Sequence, residues 1–369
     1  MNNPAAPAQK IRVLVVDDSA VMRRAITTTL AKDPRIEIAG TANNGRAALD
    51  ALTLVRPDVV TLDIEMPEMD GLAALREIRK THPRLPVIMF SSLTQRGTQA
   101  TILALTGGAS DYVGKPTDLS NLSEAFRCLE TDLIPKVKMF GEQVLAQREA
   151  ATLLRAAPAP AAETTAARPS RIRRGTIEAV CIGVSTGGPM ALVQLFAAWK
   201  EPLAVPLLIV QHMPPTFTAL LAQRLTSAGV MDVQEARDGD IVEPGRAFLA
   251  PGGRHMEVVR MEGIARLRIT DDPPENSCRP AADVLFRSAT KVYGNGLLGV
   301  VLTGMGSDGM RGCQAIRARG GNILVQDEAS SVVWGMPGSV VGAGLADAVL
   351  PLSDIPAEIL RVTRPRLAS

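Results

Sequence analysis

The sequence is poor in aromatic residues, 3% of 369 positions, and holds 3 histidines and 4 cysteines. A net charge of +2 and so few aromatics exclude the basic, aromatic-interleaved face of a nucleic-acid binder, and no additional helix-turn-helix segment is visible. The cysteines, Cys128, Cys181, Cys278 and Cys313, form no CxxC pair, so neither a structural zinc nor a disulfide framework is indicated. Reduced thiols and a cytoplasmic protein are expected. Nowhere do about 18 apolar residues run uninterrupted, and the start Met-Asn-Asn-Pro-Ala-Ala-Pro lacks the basic and apolar parts of a signal peptide. Membrane insertion and secretion are not expected. What is there is an ordinary globular composition, 46% hydrophobic and 21% charged, over a length sufficient for two domains.

The stretch Ile177-Glu-Ala-Val-Cys-Ile-Gly-Val-Ser185-Thr-Gly-Gly-Pro-Met-Ala-Leu192 reads as a buried parallel strand followed by a helix starting near Pro189. Ser185 falls at the corner. There the glycines allow a tight turn, and the first free N–H groups of the helix place positive partial charge beside the hydroxyl. Such a corner suits a nucleophile or a phosphate. A dinucleotide-binding turn would require an acidic residue at the end of the next strand. That strand, Val205 to Gln211, runs instead into His212, a base, which favours a hydrolase.

From Ile11 onward, apolar strand-like runs alternate with amphipathic stretches: Arg12 to Val16, Arg35 to Gly40, Val59 to Leu62, Val87 to Phe90, and Tyr112 to Val113. The alternation predicts a parallel doubly wound sheet, whose chemistry gathers at the carboxyl ends of its strands. Asp17 and Asp18 follow the first run and Asp63 the third, while Ser91 ends the fourth and Lys115-Pro116 follows the fifth. Clustered carboxylates repel one another unless a hard cation neutralises them, which points to a divalent ion such as Mg²⁺. Asp63 is then free to attack phosphorus.

Residues 10 to about 130 resemble response-regulator receiver domains in Val-Val-Asp17-Asp18-Ser, Thr-Leu-Asp63-Ile-Glu-Met-Pro, Met-Phe-Ser91-Ser and Asp-Tyr112-Val-Gly-Lys115-Pro116. The resemblance implies that Asp63 accepts a phosphoryl group from a histidine kinase. It also implies that Asp17, Asp18, Asp63 and the Ile64 carbonyl hold Mg²⁺, that Lys115 contacts the phosphate, and that Ser91 and Tyr112 rearrange when it arrives.

Leu122 to Leu145 keeps a helical rhythm, which is lost in the Ala-, Pro- and Thr-rich stretch from Arg155 to Ser170. Without large apolar residues this stretch cannot bury enough surface to offset ordering, so a flexible tether is expected, free to let one domain change its docking on the other. Beyond it, strand-like runs recur at Ala179 to Val184, Leu207 to Gln211, Ala247 to Ala250, Val258 to Val259, Ala265 to Ile269, Leu298 to Thr303 and Asn322 to Gln326. A hairpin around Arg254 to Thr270 is expected among them. Ser185, His212 and Asp308 each fall just past a separate strand, and a topological switch point would bring them together.

Hydrolysis of an unactivated ester needs a hydroxyl, a histidine to take its proton, and an acid to fix that histidine's tautomer. His212 stands at a strand end, whereas His255 fits a turn and hairpin. For the acid, Asp308 competes with Asp271, Asp272 and Asp283, and could instead cap a helix. The chain order Ser, His, Asp is unlike the lipase, subtilisin and trypsin orders, which geometry permits.

Residues about 176 to 362 resemble the catalytic domain of chemotaxis-type protein-glutamate methylesterases, in Gly-Val-Ser185-Thr-Gly-Gly-Pro, Gln-His212-Met-Pro-Pro-Thr-Phe-Thr, Ala-Pro-Gly-Gly-Arg-His255-Met and Leu-Thr-Gly-Met-Gly-Ser-Asp308-Gly. The resemblance implies Ser185 as nucleophile, His212 as base and then acid, Asp308 as the group orienting it, and backbone N–H groups at Met305 and Thr186 as oxyanion donors. It further implies removal of methyl groups from chemoreceptor glutamyl esters with release of methanol, deamidation of receptor glutamines, control by phosphorylation, and no cofactor for the hydrolysis itself. The expected architecture is α/β, with two doubly wound parallel-sheet domains: a (βα)5 receiver over 10–132 and a Rossmann-like methylesterase domain over 176–362. A helical and then Ala/Pro/Arg-rich linker over 133–175 joins them. A non-catalytic regulator that only binds signalling proteins would be expected to lack Ser185, His212 or Asp308, and all three are present.

Overall fold

The computed structural model describes residues 9–92, 94–115, 127, 129–156, 172 and 177–364, so Pro116, Cys128 and nearly all of the proposed tether lie outside the described residues. The chain divides into two compact units, Met1–Ala162 and Glu163–Ser369.

In the first unit, β1 (Ile11–Val16), β2 (Ile36–Ala42), β3 (Val59–Asp63), β4 (Val87–Ser91) and β5 (Asp111–Gly114) form a sheet in the order 2-1-3-4-5. Every pair is parallel. Helices α1 (Ala20–Leu30), α2 (Gly45–Val55), α3 (Gly71–Thr81) and α4 (Gln95–Thr106) make the crossovers. Their starts are set by side chains: Ser19, Asn44, Asp70 and Thr94 each accept an amide N–H from the first turn. β3 and β4 are buried along their whole length, as strands covered on both faces must be.

A π-helical turn over Leu129–Leu133 leads into α5 (Ile134–Ala156). Val137 and Phe140 of α5 are buried, and a Cβ on Gly141 would come within 2.2 Å of Ile11, so this helix seats directly on β1. The first unit's core therefore continues past residue 132, the limit expected from sequence. The reason is that Val137 and Phe140 carry the apolar stripe of the helix onto the sheet.

The second unit contains β6 (Ala179–Val184), β7 (Leu207–Gln211), β8 (Asp232–Glu235), β9 (Arg246–Leu249), β10 (His255–Met261), β11 (Ile264–Thr270), β12 (Leu297–Val301), β13 (Asn322–Gln326) and β14 (Ala348–Leu350). Seven of these strands make one parallel sheet, ordered 14-13-12-6-7-9-8, while β10 and β11 pair antiparallel as the expected hairpin. The helices are α6 (Gly188–Ala198), α7 (Pro215–Ala228), α8 (Ala282–Tyr293), α9 (Met310–Ala318), α10 (Met336–Gly342) and α11 (Ile355–Thr363). β6, β7 and β12 are buried throughout. The winding reverses between β6 and β12, which makes their carboxyl ends the switch point, with β7 beside them.

Candidate active site

Ser185 lies between the last residue of β6 and the first of α6. Gly187 caps α6 with φ 77°, and a Cβ there would approach Val332 to 2.6 Å, so glycine alone turns the corner without strain. The corner is tied down on both sides. The Ser185 N–H donates to the Thr303 carbonyl (3.0 Å), and the Ser185 carbonyl accepts from the Gly188 N–H (2.8 Å) and from Gln211 Nε2 (2.9 Å). Gln211 Nε2 also donates to the His212 carbonyl (3.1 Å), so one buried amide links the serine corner to the histidine corner.

His212 follows β7, and its Nε2 is 2.7 Å from Asp308 Oδ2. Asp308 also accepts the N–H groups of Ala282 (2.6 Å) and Asp283 (3.1 Å) and an N–H of Asn276 Nδ2 (2.9 Å). Asp308 is not the N-cap of the helix that follows it; that N-cap is Gly309, with no side-chain bond. It instead accepts the first amides of α8, whose own N-cap side chain makes no such bond. Burial opposes the Asp308 charge, but His212 and the two α8 amides outweigh it and hold the carboxyl below its ordinary range. At His212, burial disfavours the cation, whereas Asp308 and the Cys278 sulfur favour it, leaving a pKa pushed up to about 9.

Among the described residues none of the competing acids is hydrogen-bonded to His212. Asp271 and Asp272 are exposed, and Asp283 is buried against the Gly312 N–H (2.6 Å) and Asn276 Nδ2 (2.9 Å). His255 is 1% exposed, with Nδ1 accepting the Ala281 N–H (3.2 Å) and Nε2 facing the Pro273 carbonyl (3.1 Å), so both ring nitrogens serve the packing of the loop ahead of α8.

Past β12, Thr303 Oγ1 donates to the Thr186 carbonyl (2.9 Å) and accepts the Val333 N–H (3.0 Å), while the Thr303 N–H donates to Gln326 Oε1 (2.8 Å). The Gly304 carbonyl accepts the N–H groups of Gly335 and Met336. These bonds fix the Thr186 and Met305 segments side by side. The Met305 N–H donates to no group among the described residues, and its side chain is 54% exposed. Gln211, Thr303, Gln326, Asn276 and Cys278 were not singled out from sequence. The first three carry the same signal as Ser185, a polar residue closing an apolar strand; the last two sit in a turn that carries no such signal.

In the first unit, Asp17 and Asp63 are buried, and each places a carboxylate oxygen with Asp18 within 4.8 Å of the others. Lys115 Nζ lies 2.6 Å from Asp63 Oδ2 and 3.3 Å from Asp17 Oδ2. Burial, more than the counteracting Lys115, raises the Asp63 carboxyl to about 6, and Asp17 is raised for the same first reason. Carboxylates that burial makes reluctant to ionise together are a fit for a hard divalent cation. The Ile64 carbonyl, expected to complete that set, accepts the Gly71 N–H (2.9 Å), which closes the loop after β3. Gly71 has no room for a side chain, since a Cβ would sit 2.1 Å from the Asp63 carbonyl oxygen. Ser91 Oγ donates to the Gly97 carbonyl in α4 (3.0 Å), and Lys136 Nζ of α5 donates to the Tyr112 carbonyl (2.6 Å) while lying 5.4 Å from the centre of its ring.

Residues 180–359 match the CheB methylesterase family and residues 13–127 the response regulator receiver domain. A protein-glutamate methylesterase/protein-glutamine glutaminase of Trichodesmium erythraeum (strain IMS101) is 48% identical over 353 residues, 95% of this chain and 99% of that one. One so named from Nocardioides sp. (strain ATCC BAA-499 / JS614) is 49% identical over 352 residues, 95% of each chain. Another, from Rhodopseudomonas palustris (strain HaA2), is 43% identical over 373 residues, 97% of this chain and 95% of that one. No helix among the described residues is long and apolar enough to cross a membrane. With a receiver domain ahead of a CheB methylesterase domain, and identity sustained along nearly its whole length, the chain belongs to the protein-glutamate methylesterase/protein-glutamine glutaminase family.

Proposed function

We propose that Ser185, His212 and Asp308 carry out hydrolysis of glutamyl methyl esters on chemoreceptors, in the service of chemotactic adaptation. The observation that carries this assignment is the His212–Asp308 pair at 2.7 Å on strand ends flanking the Ser185 corner. An ionised Asp308 only accepts, so the proton on that side belongs to His212 Nε2, and Nδ1 is the basic nitrogen. Ser185 Oγ attacks the ester carbonyl carbon as its proton passes to Nδ1. The tetrahedral oxyanion is met by the N–H groups of Met305 and Thr186; a donor of this kind is commonly worth about 3 kcal/mol of barrier. Collapse breaks the bond to methoxide, which leaves as methanol with the proton from Nδ1. Water then repeats the sequence on the acyl-serine, releasing the glutamate carboxylate. With a glutamine substrate ammonia leaves in place of methanol, which accounts for deamidation by the same three residues.

The receiver domain makes this a phosphorylation-controlled response regulator. Asp63 is the phosphoacceptor for a chemotaxis histidine kinase, Lys115 contacts the phosphate, and Ser91 and Tyr112 answer its arrival. Asp17, Asp18 and Asp63 would hold Mg²⁺, which neutralises charge on the phosphoryl oxygens when bound; the ester chemistry needs no cofactor. Three cysteines free of disulfides, Cys181, Cys278 and Cys313, support a cytoplasmic setting. Methanol release from methylated receptor membranes, followed with and without a phosphodonor, tests the reading. Release that survives Ser185→Ala would reject it.

A further inference from the structure

We propose that Cys278 is a positioning residue for this reaction, holding the His212 ring from the edge opposite Asp308 so that the nitrogen receiving the Ser185 proton is correctly aimed. The inference rests on Ser185 as nucleophile and His212 as base. With Nε2 committed to Asp308 (2.7 Å), Nδ1 is the nitrogen left for proton transfer. Among the described residues its partner is Cys278 Sγ at 3.5 Å, while Ser185 Oγ makes no hydrogen bond. Nδ1 has one in-plane lone pair, so the Cys278 contact sets the plane of the ring in the resting enzyme and gives way to Ser185 Oγ as the substrate is attacked, whereas a ring held only at Nε2 pivots about that bond.

The turn that presents Cys278 is built to grip. Glu275 and Cys278 exchange backbone hydrogen bonds in both directions (3.1 and 2.8 Å), leaving Asn276 and Ser277 at the tip with φ 52° and 62°. Two successive left-handed residues close a tight two-residue loop, a conformation that asparagine tolerates and serine adopts at a cost. The strain is matched by fastenings. Asn276 Nδ2 donates to Asp308 Oδ1 (2.9 Å) and Asp283 Oδ2 (2.9 Å), and the Glu275 carboxylate is held by both terminal nitrogens of Arg287 (2.7 and 2.6 Å). One turn thus holds the acid through Asn276 and the base through Cys278.

The groups facing His212 are Asp308 and Cys278. Behind them stand Asp283 of α8 and Glu275, itself under the influence of Arg287 and Arg311. Of the two that face the ring, the sulfur can be replaced without touching the acid. Because the sulfur contact favours the protonated imidazole, its removal should lower the pKa of His212, whereas a cysteine that only filled space would leave it in place.

The test uses the full-length chain, methylated receptor membranes and a phosphodonor. Cys278→Ala is expected to lower kcat about tenfold with KM unchanged, the scale on which a misaimed catalytic group acts. It is also expected to move the midpoint of the rising limb of the pH–rate profile to lower pH. Cys278→Ser, close to the same shape, should recover most of the rate and still show the lower midpoint. Activity is not the sole readout: ¹⁵N shifts of the His212 ring, followed through a pH titration of the Ser185→Ala chain with and without Cys278→Ser, should show the same displacement. Unmoved midpoints in both measurements, with Ser185→Ala inactive, would overturn the proposal and leave the three-residue assignment standing. An active Ser185→Ala chain would overturn both.

Discussion

His212 and Asp308 are 96 residues apart in the chain, yet they meet at 2.7 Å because their strands, β7 and β12, flank β6 on its two sides. Ser185, at the end of β6, thus has its base to one side and the acid to the other. On the proposed assignment the three act as a unit, and a unit is lost only once. Ser185→Ala and His212→Ala should each lower kcat by about 10⁴-fold or more, and the double variant should be hardly worse than either. Losses that multiply in the double variant would separate the two residues. Thermal unfolding of Ser185→Ala should stay within about 0.5 kcal/mol of the parent, because one oxygen at a partly exposed corner is removed and no core volume changes.

Asp63→Asn should abolish stimulation by a phosphodonor and leave basal methanol release intact, since an amide cannot form the acyl phosphate and Asp63 belongs to the unit that lacks Ser185. Rates measured with and without the phosphodonor, on both chains, check this. A variant as inactive as Ser185→Ala under all conditions would contradict the division of labour.

The pH dependence follows from His212. Its pKa in the folded chain is raised to about 9, while the ordinary value is 6.5. A base must be neutral to accept a proton, so kcat/KM should climb with pH, with its midpoint near pH 9 and its plateau only above that. Stability has the opposite slope. A raised folded-state pKa means the folded chain holds the proton more tightly, so this contribution is complete below about pH 6.5 and is lost as pH rises through about 9. Denaturant unfolding of the parent and of His212→Ala across that window should converge at its alkaline end.

Gly304→Ala should damage catalysis more than folding. A Cβ on Gly304 would come within 2.5 Å of Met336 Sδ and 2.8 Å of Ser185 Cβ, in the loop that also carries the Met305 N–H. Overpacking of this kind costs about 1–3 kcal/mol. The flexible methionine end can yield, whereas the Ser185 corner is held by backbone hydrogen bonds and shifts as a whole. Steady-state kinetics beside thermal melting distinguishes the two effects.

Much of this was legible in the sequence because strand ends are. Ser185, His212 and Asp308 each close or follow an apolar run, and a parallel sheet turns that linear signal into proximity. The grip on them was harder to read. Cys278 and Asn276 reach the site through a turn defined by left-handed backbone at Asn276 and Ser277, which neither residue type announces. The edge strands β8 and β14 also escaped notice, since at 4 and 3 residues they are too short to show a period, and they exist because a neighbouring strand offers a ladder.

The sheet order also sets a clock. Ser185 and His212 follow neighbouring strands, but Asp308 comes 96 residues after His212, in a turn beyond a strand that must insert beside β6 before the centre of the sheet is complete. At about 5–20 residues per second, a growing chain carries its serine and histidine for roughly 5–20 s before its acid has been made. On the proposed assignment, the imidazole then has no acid to orient it and the loop meant to receive the oxyanion does not yet exist.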